Sequence, residues 1–278
     1  MKIYLPTNYY RQFSGDHTKP YPAESYGGWQ KEMLPIETDT TAIVCMHAWD
    51  TGEDGEYPGW ERCVDYIPRA SKICRKDMPP FFEKVRKTPM KLIHVAAEGQ
   101  VIEHFPGWQR TLELCGDEKE PYRDPAVYIN GDEAVNEIRN FKYMKGHVGE
   151  ENIADVARGC PRKVNPYVLP KDDEFVVTKS YQLRAICEKY NIRHLIYTGF
   201  AINMCLFVSP CGMLDMGRYG IMCSAVRELT TAVENRESAR GEKNKEYGLW
   251  HTALLYGFVY NKEDIEKYVL EELAKRER

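Results

Sequence analysis

Five short, nearly continuous apolar runs constrain this chain more than any other feature. They are 40–46 (TTAIVCM), 90–97 (MKLIHVAA), 175–178 (FVVT), 194–198 (HLIYT) and 220–224 (GIMCS), and 256–260 (YGFVY) is a weaker sixth. A strand with one wet face alternates apolar and polar residues. Runs this short without alternation are buried on both faces, as in a parallel sheet covered by helices. Helical periods lie between them. Leu183, Ile186, Cys187 and Tyr190 share one helix face. After Asn261, a plausible N-cap, Ile265, Tyr268, Val269 and Leu273 form another apolar stripe. Strands alternating with helices predict an α/β fold: a three-layer α/β/α sandwich on a mostly parallel, about six-stranded sheet with Rossmann-like topology.

Residues 1–38 are rich in Tyr, Pro and Gly and show no clear period. The expected organisation is an irregular N-terminal arm over 1–38, suited to subunit contact, and a single domain over 39–278. The stretch from Glu98 to Glu174 is polar and rich in Gly, Pro and charge. It reads as loops and short helices that shape a substrate pocket.

With 278 residues and a net charge of −4, the chain carries no basic excess of the kind that nucleic acid selects. Its opening, MKIYLPTNYYRQF, has no apolar segment of the signal-peptide kind. Nine cysteines without a CxxC pair fit reduced thiols, and the cytoplasm is the expected compartment. The uncharged stretch near Leu195 to Leu214 is broken by Gly199, Asn203, Pro210 and Gly212. It reads as a strand, a turn and a buried helix, so no membrane partner is expected.

In open parallel sheets ligands bind beyond the carboxyl ends of the strands. The residues to question there are His47 and Asp50, Glu98, Lys179, and the segment from Gly199 to Cys205. In HLIYTGFAINMCLFV an apolar strand ends at a glycine, and Cys205 follows at the start of a helix. A helix start favours a thiolate through its dipole and its free N–H groups. A buried, inert cysteine is the competing reading.

The segment TGFAINMC, with the apolar helix after it, resembles the nucleophile segment of isochorismatase-like cysteine hydrolases, and the resemblance extends from Thr41 to about Tyr260. It implies an Asp, Lys and Cys set, with Cys205 as nucleophile and Lys179 as support for the thiolate. It also implies a cis peptide at Phe200–Ala201 and an oxyanion hole from the N–H groups of Ala201 and Cys205.

Two departures stand out. His47 occupies the place of the family's catalytic Asp, leaving Asp50 as the alternative base. The connection from Lys179 to Gly199 is also shorter than usual in the family. Glu98, Glu103 and His104 match no tight metal spacing, so neither metal nor organic cofactor is expected. His94 reads as a satisfied core residue, and 105–109 as either a pocket wall or a packed turn. Arg227 and Glu234, placed after the fifth run, read as ligand contacts or as a salt-bridged helix start.

The resulting expectation is hydrolysis of a C–N bond in a small amide or carbamoyl compound through an acyl-enzyme, by a homo-oligomer. The alternatives are a catalytically retired binding protein of the same fold, or a vinyl-ether hydrolase of the isochorismatase type.

Overall fold

The computed structural model describes residues 1–116, 133–158, 163–171 and 174–276. Its centre is an eight-stranded sheet in the order β2-β1-β8-β7-β6-β3-β4-β5. The strands are β1 (Lys2–Arg11), β2 (Gly28–Glu37), β3 (Thr41–Met46), β4 (Lys91–Val95), β5 (Phe175–Val177), β6 (His194–Phe200), β7 (Met222–Thr231) and β8 (Val259–Tyr260). The last six pair in parallel. These are the six apolar runs of the sequence, and every residue of β3 and β6 is buried.

Two apolar layers cover the sheet, one on each face. On one, Ile43, Cys45 and Ile196 meet Phe81, Phe82 and Val85 of helix Met78–Val85 and the carboxyl-terminal Ile265, Val269 and Leu270. On the other, Val44, Met46, Leu195 and Tyr197 meet Leu183 and Ile186 of helix Ser180–Lys189 together with Met213, Met216 and Leu249. Alternate residues of one strand thus feed opposite layers, as the two-residue period of a strand requires. Asn261 does occupy the N-cap position of the last helical stretch, but its side chain makes no cap bond. It accepts instead from Asn8 Nδ2 at 3.1 Å.

Two sequence expectations are corrected. Residues 1–38 are not an irregular arm: β1 and β2 form an antiparallel hairpin over ten residue pairs. β1 adds antiparallel to β8, raising the sheet from about six strands to eight. The inward side chains Ile3, Leu5 and Ile36 join the core. The fifth run, moreover, does not stop at Ser224. β7 continues to Thr231, so Arg227 lies within a strand and no helix starts there.

Of the expected covering insertion, residues 117–132, 159–162 and 172–173 lie outside the described residues; the rest includes the helices Pro106–Cys115, Glu133–Phe141 and Ile153–Arg158. Among the described residues, no helix is long and apolar enough to cross a membrane.

Candidate active site

From β3 the chain builds outward through β4 to β5, and from β6 outward through β7 to β8. The direction switches between β3 and β6, and the crevice beyond their carboxyl ends is where such sheets hold ligands. Met46 pairs with Gly199 across that junction. The approach is close: a Cβ at Gly199 would lie 1.9 Å from the Met46 carbonyl oxygen, and Gly199 has φ +109°. Only glycine fits both demands.

Beyond Gly199 the Phe200–Ala201 peptide is cis, as the resemblance implies. The Ile202 N–H then donates to Thr231 O at 2.8 Å, and those of Met204 and Leu206 to Ala201 O at 3.1 Å. Among the described residues, the N–H groups of Ala201 and Cys205 make no backbone hydrogen bond. Two donors with no partner beside a thiol are the material of an oxyanion hole. Asn203 fixes the turn, its amide exchanging hydrogen bonds with the Val233 backbone at 2.9 and 3.0 Å.

Cys205 opens a helix, but the helix spans only Cys205–Val208. One turn sums few peptide dipoles, so the dipole expected from the sequence contributes little. Exposure separates Cys205 more clearly. Of the described cysteines, only Cys63 and Cys205 are partly exposed. Cys63 Sγ donates to Val148 O at 3.1 Å. Burial pushes Cys74, Cys187 and Cys223 up to about 12 and Cys45 well above its usual range.

His47 follows β3, in left-handed backbone at φ +52°. Its N–H donates to Val95 O at 2.8 Å, which seats it at the strand end beside Gly199. Burial brings the imidazole's pKa down to about 4, so the ring is neutral at pH 7, with a lone pair able to accept a hydrogen bond, while the same burial opposes its protonation. Asp50 turns back on its own loop: its Oδ1 accepts from the Gly52 N–H at 3.1 Å.

Lys179 sits after β5, two strands beyond β3, a lateral distance of about 10 Å. Its ammonium donates to Glu98 Oε1 at 3.2 Å. Among the described residues, no hydrogen bond or ion pair joins His47, Lys179 and Cys205 to one another. The sheet edge gathers these residues without linking them.

The remaining candidates have structural partners. His94 Nε2 lies 2.8 Å from Glu174 Oε2, and Arg86 grips the same carboxylate at 2.6 and 3.0 Å. Burial opposes the charge on Glu174, yet the bonds from His94 and Arg86 outweigh it and bring the pKa down to about 2. Arg227 forms a two-pronged bond to Glu246 at 2.6 and 2.8 Å. Glu234 accepts the N–H groups of Asn244 and Lys245, both at 3.0 Å. Residues 105–109 begin a helix, with Phe105 buried against Ile102 and Val176. Glu103 Oε2 accepts from the Ile102 N–H at 3.0 Å, and His104 lies on the Phe105 ring. Among the described residues, no three His, Cys, Asp or Glu side chains group to hold a metal ion.

Tyr66 was not among the sequence candidates, yet its ring lies against Phe200, with centroids 6.4 Å apart, and meets Trp49 edge-on at 6.3 Å. The contact joins segments far apart in the chain, and no local pattern around Tyr66 signals it.

No protein-family model and no curated protein matches this chain. Solved structures do. An isochorismatase-like hydrolase from Alkaliphilus metalliredigens is 16% identical with a TM-score of 0.48, covering 82% of this chain and 96% of its own. A cysteine hydrolase from Pseudomonas syringae pv. phaseolicola is 10% identical with a TM-score of 0.47, covering 88% and 97%. A putative hydrolase of the isochorismatase family from Chromobacterium violaceum is 13% identical with a TM-score of 0.47, covering 85% and 96%. In structure the chain is similar to isochorismatase-like and cysteine hydrolases, the group that its Gly199–Cys205 segment resembles.

Proposed function

We propose that this chain is a divergent isochorismatase-like cysteine hydrolase that cleaves a C–N bond in a small amide or carbamoyl compound. The observation that carries the reading is the Gly199–Cys205 turn: a partly exposed thiol at the β3/β6 switch point, flanked by the unpartnered N–H groups of Ala201 and Cys205. In this mechanism the Cys205 sulfur gives its proton to the neutral His47 and attacks the carbonyl carbon. The two N–H groups hold the oxyanion. The C–N bond breaks, the amine leaves with the proton from His47, and water then hydrolyses the thioester with His47 again as base. Lys179 lends electrostatic support from across the cleft once released from Glu98. The working form is proposed to be a homo-oligomer, which light scattering reads directly.

The test uses a panel of small primary amides and carbamoyl compounds, scored by amine or ammonia release. Cys205→Ala is expected to lower turnover by about a thousandfold or more. Iodoacetamide is expected to label Cys205 ahead of the other described cysteines. Uniform slow labelling would remove the activated thiol from the argument.

A second reading, a retired site that only binds, is favoured by one observation: Lys179 is held by Glu98, and no bond links it to His47 or Cys205. A panel that binds but is never turned over would select it. Turnover that survives Cys205→Ala would instead favour vinyl-ether chemistry that needs no sulfur nucleophile.

A further inference from the structure

Helix Lys243–Leu255 keeps its charges in its first turn, at Lys243, Lys245 and Glu246. From Tyr247 to Tyr256 the chain reads YGLWHTALLY, without Asp, Glu, Lys or Arg. A surface helix is polar on its outer side, and a helix that is apolar all round is covered on every side. This chain covers the inner side. Gly248, Leu249 and Thr252 are buried there, and Leu249 joins the core layer of Tyr197 and Met216. A Cβ at Gly248 would come within 2.9 Å of the Ile202 side chain, in the turn that leads to Cys205. The outer side carries Tyr247, Trp250, His251, Leu254 and Leu255, whose spacing puts them on one helix face.

That outer face is open: Tyr247 is 54% exposed and Leu255 57%. It continues onto helix Cys205–Val208, where the Phe207 ring lies 5.3 Å from that of His251 and the next residue, Val208, is 68% exposed. On the other flank Tyr10 of the hairpin meets Trp250 at 6.1 Å. Together these side chains leave roughly 500 Å² of largely apolar surface, at the upper end of what monomers expose in one patch. Two such faces brought together remove roughly 1,000 Å² from water, and a polar rim raises the total to the about 1,200 Å² at which stable interfaces begin.

We infer that a second copy of this chain covers this face, through a twofold contact in which the two Lys243–Leu255 helices run antiparallel. A twofold axis makes a surface meet itself. With the axis between Trp250 and His251, Tyr247 of one copy faces Leu254 of the other, and Trp250 faces His251. The aromatic end of each helix thus meets the aliphatic end of the other. The charged first turn of each helix passes beyond the apolar seam and stays in water, so no charge is buried. The inference rests on the proposed homo-oligomer and names its interface. The helix that joins the copies is the one that backs the Ile202 turn.

Sedimentation velocity on the full chain across a dilution series tests it. The natural chain is expected to sediment as a dimer or a multiple of one. Tyr247→Lys and Leu254→Glu are each expected to weaken the association by roughly a hundredfold, and Leu255→Glu similarly. Mixed in equal parts, Tyr247→Lys and Leu254→Glu are expected to recover the dimer, because the twofold sets Lys against Glu at one pair and Tyr against Leu at the other. A variant that had merely failed to fold would not recover on mixing. A natural chain that sediments as a monomer overturns both the inference and the homo-oligomer. Assembly that persists in all three variants overturns this interface and leaves the homo-oligomer standing. Dissociation without recovery on mixing overturns the antiparallel pairing. Cys205→Ala, which tests the hydrolase reading, is expected to assemble like the natural chain, so the two readings fail separately.

Discussion

A methyl group at position 199 would meet the Met46 carbonyl well inside contact distance, in backbone that only glycine adopts freely. Gly199→Ala must therefore part the ends of β3 and β6, from which His47 and Cys205 project. The expected cost is about 3 kcal/mol or more, seen as a lower urea midpoint. A midpoint like that of the natural chain would contradict the close approach. Residue-scale features of this kind were legible where chemistry and chain position coincide. Gly199, Cys205 and His47 each follow an apolar run, so strand ends found in the sequence locate them. Tyr66 precedes a helix instead, and its place beside Phe200 depends on rings brought together from distant segments. Lys179 was legible as a position but not as a partner. Its contact with Glu98 joins two loops whose geometry no local pattern encodes.

Among the elements, β7 and helix Lys243–Leu255 decide between the two sequence readings of Glu234, ligand contact or helix start, in favour of a helix start. Its carboxylate caps that helix from outside. Two N–H groups at the amino end of a thirteen-residue helix find their acceptor in its side chain, which is buried. Glu234→Ala is expected to cost about 1–2 kcal/mol, and Glu234→Gln less, since its one amide oxygen can still accept one of the two N–H groups. Equal losses for the two variants in thermal melts would show that a single acceptor oxygen without the charge contributes nothing there. What is corrected is Arg227, which lies within β7. A short apolar run gave its start, but its continuation through Arg227 and Glu228 is polar on one side and reads as a helix entry. The hairpin was missed for a related reason. In β1 the inward positions are Ile3, Leu5 and the buried Thr7, with Pro6 between them, so polar and proline residues blur a real alternation.

Over the whole molecule, the buried groups that titrate on the acid side, His47, His194 and Glu174, are all shifted down. Burial brings His47 down to about 4 and His194 down to about 3, against 6.5 for an ordinary imidazole. Below pH 6.5 the unfolded chain takes up protons at both rings while the folded chain does not. Stability from these groups is therefore full above pH 6.5 and falls as the pH drops toward 4 and then 3. Glu174, at about 2 folded against 4.5 unfolded, extends the loss from pH 4.5 downward. Each such proton is worth about 1.4 kcal/mol per pH unit. The melting temperature is expected to fall steadily from pH 6.5 to 4, and His194→Gln, which keeps a polar partner for Ser224, should flatten the slope. A melting temperature that stays level over that range would mean that neither ring is held neutral.

The amino-terminal hairpin docks on the strand that the chain makes last. Asn8 Nδ2 reaches the Val259 carbonyl across a separation of 251 residues, and β1 borders β8. During synthesis the first strand pair leaves the ribosome long before its neighbour exists. Until then Leu5 and Ile36 have no core to enter, and this ribbon is the stretch a nascent-chain chaperone would have most reason to hold.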